Sequence, residues 1–209
     1  MDLCYNVKKL NLNEVIIMKK TQITQPFRPV YPSPAGLIVS IDSLGNPNVM
    51  TAGEIFNISL KSPCIIGIAL RKATYTHELI TESKEFSVNF PTVNQLELMD
   101  LVGTISGREG MDKLKEYDIK TTNSETIKSP IITDCPVNLE CKMLSVQEVG
   151  DHDLFLGEVT MMHVDADKIN EKNQIEIEKV DSFAFGEWGY YRIAEKIGDF
   201  GFSRRTKQL

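Results

Sequence analysis

Two extended runs joined by one turn constrain this chain more than any other feature. Val137-Asn-Leu-Glu-Cys-Lys-Met143 alternates apolar and polar residues at every step, the period of a strand with one covered face. That period puts Val137, Leu139, Cys141 and Met143 inward and Asn138, Glu140 and Lys142 outward. Leu154 to Val164 is a second extended run, and Gly150-Asp-His-Asp153 between them reads as a turn. The pair predicts an antiparallel hairpin.

The rest of the chain adds strands faster than helices. Gly36 to Ile41 and Val49 to Ala52 are extended, and Asp42 to Pro47 between them is rich in turn formers. Cys64 to Leu70 is a nearly continuous apolar run, short enough for a strand buried on both faces. Glu85 to Phe90 alternates, with Phe86, Val88 and Phe90 on one face. Thr74 to Ser83 predicts a helix with Thr74 as N-cap, Glu78 near its positive end and a stripe of Tyr75, Leu79 and Ile80. Thr92-x-x-Gln95 has capping-box spacing and opens a helix through Leu96 and Met99 to Val102, with Gly103 as its stop. A further short helix is predicted within Gly107 to Tyr117. Thr121 to Cys135 reads as a polar loop, Ile169 to Val180 as a charged, mobile connection, and Ser182 to Ile193 as an aromatic cluster. The expected organisation is an N-terminal extension over residues 1–25, one domain over 26–195 and a C-terminal tail over 196–209, basic from Ser203 onward.

Composition excludes some functions. With 209 residues one domain is the prior. A formal charge of −6 argues against nucleic-acid binding, which needs a basic face. No apolar run approaches the roughly 18 residues of a membrane span, and Val15-Ile-Ile17 is too short for a signal-peptide core. A cytoplasmic location is the expectation. Cys4, Cys64, Cys135 and Cys141 form no C-x-x-C. Cys64 and Cys141 read as small core hydrophobes. No G-x-G-x-x-G follows a strand, so a Rossmann domain is not supported.

Chemistry concentrates between Asn46 and Thr74. Arg71 and Lys72 end a buried strand and precede a helix N-terminus, which brings backbone donors, a dipole and two cations to one place. That suits a phosphate; a solvated strand end with ordinary surface cations is the alternative. Asn48, Thr51 and Ala52 supply amide and hydroxyl groups beside a turn. His77 reads as a surface or staple residue and His163 as structural. His152 sits in a turn beside a strand, where a titratable donor can face a ligand or simply cap the hairpin with Asp151. Glu140 and Glu158 read as solvent-facing. No Ser-His-Asp order and no metal-ligand spacing is present.

Five segments carry a resemblance. Asn48-Val-Met-Thr51, Arg71-x-x-Thr74, Glu85-Phe-Ser-Val-Asn-Phe-Pro91, Gly103-x-x-Ser-Gly107 and Gly150-Asp-His-x-x-Phe-x-Gly-Glu-Val159 occur in the order and spacing of flavin reductase-like FMN-binding split-barrel proteins, the family that includes flavoredoxin. The resemblance covers Pro29 to Asp165. It implies a mainly β fold with peripheral helices, a Greek-key antiparallel split β-barrel that is usually a homodimer with FMN near the subunit interface. Asn48, Val49, Met50, Thr51 and Ala52 would then line the isoalloxazine. Arg71 and Thr74, aided by Lys72, would hold the phosphate end, and Asn89 and Ser106 would add polar contacts. His152 would face the flavin edge or a nicotinamide. The implied function is an FMN-dependent oxidoreductase taking a hydride from NAD(P)H. An electron carrier between protein partners, in the manner of flavoredoxin, and a pyridoxamine-phosphate-oxidase-like enzyme remain open beside it.

Overall fold

A computed structural model describes residues 20–203. The expectations for Met1 to Ile17, Cys4 and residues 204–209 lie outside the described residues.

In chain order the strands and helices are β1 (Ser33–Pro34), β2 (Gly36–Ile41), β3 (Pro47–Ala52), β4 (Ile55–Ser59), β5 (Ile65–Arg71), α1 (Tyr75–Ser83), β6 (Glu85–Phe90), α2 (Leu96–Thr104), α3 (Lys113–Glu116), β7 (Thr121–Thr122), β8 (Ile131–Ile132), β9 (Val137–Val149), β10 (His152–Val164), α4 (Ile177–Val180), β11 (Phe183–Phe185) and β12 (Tyr190–Arg192). One seven-stranded sheet has the order β3-β2-β6-β9-β10-β5-β4, and its pairings are all antiparallel. β5 and β6 are consecutive in the chain, yet the β9–β10 hairpin lies between them, which is the Greek-key step.

The two edges of this sheet are β3 and β4, and only Gly53 and Glu54 join them. Three Cα steps span at most about 11 Å. The sheet therefore rolls until its edge strands meet at that corner, with no ladder between them. The result is a split barrel.

Two apolar layers hold it. Ile38, Ile66, Ile68, Phe86, Val88, Leu139, Cys141 and Phe155 fill the barrel, joined by Ile80 of α1. Leu37, Val39 and Val49 point the other way, against Met99 and Val102 of α2, Leu114, Ile132, Cys135 and Phe183. Strand β2 is thus buried on both faces.

Several expectations change. The clean alternation of β9 predicted Asn138 and Glu140 outward, but all of Val137 to Cys141 is buried. The reason is the 121–135 segment. It is not an open loop: Ile127, Ile131, Ile132 and Cys135 are buried, and it covers the outer face of β6 and β9. The Glu140 carboxylate is fully buried and accepts hydrogen bonds from Glu125 N (2.8 Å), Thr126 N (2.7 Å) and Thr126 Oγ1 (2.6 Å). It also contacts His163 Nε2 at 2.7 Å. Gly103 does not stop α2, which runs one residue further to Thr104. The predicted capping box is present, but it opens a 3-10 turn at Val93–Gln95 that leads into α2. The Ile169–Val180 connection folds on itself, with the Asn170 side chain accepting from Lys172 N and Gln174 N, and ends in α4.

Candidate functional site

The open seam between β3 and β5 carries a groove. Its outer cavity, about 310 Å³, and its inner cavity, about 240 Å³, share Met50, Arg71, Thr74, Gly103 and Thr104. Together they reach the size of a small-molecule site, which starts at about 300 Å³.

The inner cavity is built for an anion. Thr74 caps α1: its Oγ1 accepts from His77 N at 3.3 Å and donates to Arg71 O at 2.9 Å. The cap leaves the positive end of a nine-residue helix facing the cavity. Ser106 lies opposite, accepting from Arg108 N at 3.2 Å. Asn48 donates from Nδ2 to Thr76 Oγ1 at 3.0 Å, which fixes its amide. Two glycines let the walls come this close. A Cβ on Gly103 would fall 2.9 Å from Thr51 Cβ, and one on Gly107 would fall 2.2 Å from Asn48 Oδ1.

Arg71 sits where the cavities join. It is the last residue of β5 and pairs across the ladder with His152, the first residue of β10. The turn before His152 is only Gly150–Asp151, with Gly150 at φ +62 where a Cβ is disfavoured. Eighty-one positions of sequence thus collapse to one rung, and both side chains line the outer cavity. His152 Nδ1 lies 2.9 Å from Asp151 Oδ1, and this bond holds the Asp151 carboxyl below the usual range.

The outer end is aromatic and comes from the small sheet β1-β11-β12. Phe185 and Tyr190 line the cavity, their rings 5.0 Å apart. Arg28 lies 4.4 Å over the Phe185 ring and pairs with Glu54 at 2.6 Å. Tyr190 donates its hydroxyl to Asp100 Oδ1 at 2.9 Å; burial and that carboxylate push its pKa up to about 12.

Of the eleven residues singled out from sequence, eight line one cavity or the other: Asn48, Met50, Thr51, Ala52, Arg71, Thr74, Ser106 and His152. Three do not. Val49 points into the outer apolar layer, because alternation along β3 turns it away from Met50. Lys72 follows the end of β5 and pairs with Glu148 at 2.5 Å, with Asp153 3.6 Å away. Asn89 is a buried hub, donating to Leu37 O and Ser87 Oγ and accepting from Ile132 N and Asn138 Nδ2. The Thr51 hydroxyl donates to Met99 O, so its hydrogen is committed to the scaffold. Of the two readings of His77, surface or staple, the geometry is that of a staple between α1 and β10. It is largely buried, with Nε2 2.8 Å from Asp153 Oδ2 and its ring edge-on to Phe155.

Sequence reasoning missed Arg28 and Lys113. Arg28 hides in a proline-rich lead-in. Lys113 is only 3% exposed, lines the inner cavity and donates from Nζ to Val49 O at 3.0 Å and Val102 O at 2.9 Å. Burial lowers its pKa to about 8. Among the described residues no cysteine lines either cavity; burial pushes Cys135 up to about 12, and Cys141 rises by the same cause.

Known proteins share this architecture. The chain is 36% identical over 169 residues to an uncharacterised protein of Archaeoglobus fulgidus, covering 80% of this chain and 93% of that one. It is 28% identical over 126 residues to an NADH:riboflavin 5'-phosphate oxidoreductase of Streptomyces pristinaespiralis, covering 60% and 67%. Among solved structures, flavoredoxin of Desulfovibrio vulgaris (Miyazaki F) superimposes with a TM-score of 0.80 at 29% identity, over 89% of this chain and 98% of that one. Residues 28–177 match the family described as flavin reductase like domain. With most of the chain inside that match and a split barrel around the groove, the protein belongs to the flavin reductase-like family and has a flavin-linked redox role.

Proposed function

We propose that this chain binds FMN in the β3–β5 groove and passes reducing equivalents from NADH or NADPH through it to an acceptor. The observation that carries the proposal is the polarity of the groove. Hydroxyls, a helix N-terminus and Arg71 gather at its inner end, apolar β3 side chains form its wall, and rings close its outer end. A flat ligand with one phosphate tail matches that sequence of surfaces. Arg71 is assigned to the phosphate, with the Ser106 hydroxyl donating beside it and the Thr74-capped N-terminus of α1 facing it. Asn48 holds the ribityl side, and Met50 and Ala52 form the apolar wall. Phe185 and Tyr190 shield the ring from water. His152 faces its edge and can hold or release a proton there.

A bound flavin supplies the hydride and electron chemistry, so the protein needs to bind, orient and exclude water. A second reading, electron transfer between protein partners, is favoured by the match to flavoredoxin and by the −6 charge, which suits a basic partner.

Anaerobic mixing of the FMN-loaded protein with NADH or NADPH separates the two. Bleaching of the visible absorbance within the mixing experiment is the expected result. No bleaching with either nucleotide, but fast reduction by a reduced ferredoxin-type donor, would give the second reading instead.

A further inference from the structure

Lys113 is a buried cation whose geometry the proposed chemistry leaves unexplained. It stands on α3, a four-residue helix, and enters the inner cavity between β3 and α2. Its two hydrogen bonds go to backbone carbonyls, Val49 O on the strand that forms the apolar wall and Val102 O on the helix that carries Gly103. Neither partner is a carboxylate. A buried ammonium satisfied only by carbonyls carries a full charge without a counter-ion, which is costly unless something else supplies one.

The groove can supply it. The ionisable residues lining the inner cavity are Arg71, Tyr75 and Lys113. β3 and α2 face Lys113 with carbonyls; Asp100 of α2 lines the outer cavity and accepts from Tyr190, and Asp112, Lys115 and Glu116 on and beside α3 are exposed. Glu78 of α1 is paired outside with Arg108 at 2.8 Å. No carboxylate lines this cavity among the described residues. An anion entering it therefore meets two cations and no competing acid.

We infer that Lys113 is a positioning residue whose charge is completed by the anionic end of the ligand, so that binding of a phosphate-bearing flavin takes up a proton on this lysine. The inference rests on the flavin reading above and adds a regulation to it. Deprotonation does not loosen the site: a neutral amine keeps two N–H donors, enough for Val49 O and Val102 O. What deprotonation removes is one positive charge beside the anion. Geometry and charge are thus separable by pH alone. Before a ligand enters, burial lowers the Lys113 pKa to about 8. An opposite charge nearby raises such a group by about one unit or more. The sign follows: the bound form is favoured when Lys113 is protonated, so affinity falls as pH rises through 8, and riboflavin, which lacks the phosphate, is spared.

Wild-type protein is titrated with FMN and with riboflavin from pH 7.0 to 9.5, a range in which the phosphate stays a dianion. The expected result is a Kd for FMN that rises roughly 10-fold, against less than about 2-fold for riboflavin. Calorimetry near pH 8.5 in buffers of different ionisation enthalpy should show proton uptake with FMN and none with riboflavin. Lys113→Met, checked for folding by circular dichroism, should weaken FMN at pH 7.0 and flatten its pH profile. FMN binding that is tight and independent of pH, or parallel losses for both flavins, would overturn the inference and leave the flavin reading standing. Absence of binding by either flavin at every pH would overturn both.

Discussion

Arg71→Ala is expected to weaken FMN binding by roughly 10- to 150-fold while barely changing riboflavin. A phosphate dianion on a chain of net charge −6 needs local cations to offset desolvation and repulsion. Arg71 stands at the junction of both cavities, beside the Thr74-capped N-terminus of α1. A charge-assisted hydrogen bond contributes about 1.5–3 kcal/mol, and about 1.4 kcal/mol is tenfold. Arg71→Lys should recover only part of the loss, because an ammonium cannot present two parallel donors. The fold should survive, since Arg71 is exposed at the end of β5. Fluorescence titration of each variant with both flavins measures it. Equal losses for FMN and riboflavin would mean that Arg71 supports the ring or the scaffold.

The largest expected effect on stability is at Glu140, far from the groove. Glu140→Ala should cost about 3–5 kcal/mol, because it strands Glu125 N, Thr126 N and Thr126 Oγ1 and removes the partner of His163. Burial alone would raise this carboxyl. The hydrogen bonds from Thr126, Glu125 and His163 overcome burial and bring it down to about 2. A folded pKa below the unfolded one stabilises the protein above the unfolded value, near 4.5, and that contribution is lost as pH falls through 2. Two units and a half correspond to about 3 kcal/mol. Urea unfolding of wild type and Glu140→Gln at pH 6, 4 and 2.5 should show a stability gap that narrows with acid. A constant gap would show that the carboxylate charge plays no part.

Glu140 also shows where sequence reading ends. Alternation along Val137 to Met143 located the strand, but it assumes that one face meets water. The 121–135 segment covers that face, and its four buried apolar side chains, Ile127, Ile131, Ile132 and Cys135, follow no strand or helix period that would announce it. The groove was more legible because its parts are local. The Thr74 cap, the end of β5 at Arg71 and the turn before His152 each leave a mark within a few residues, and the antiparallel ladder then brings Arg71 and His152 together. Lys113 left no mark. A lysine between Asp112 and Leu114 reads as a solvated helix residue, and only the packing of α3 against β3 and α2 buries it. Val49 and Asn89 fail for the opposite reason. They lie in segments that match the family, yet a strand alternates, and these two side chains face away from the groove.

The central claim is that this groove holds FMN. The most direct measurement is the absorbance spectrum of the purified protein, followed by denaturation and chromatography of any released chromophore, with FMN added to the apoprotein if none is present. The expected result is a flavin spectrum, FMN as the released species and binding at micromolar concentration or below. Release of FAD, or no binding of FMN at micromolar concentration, would contradict it.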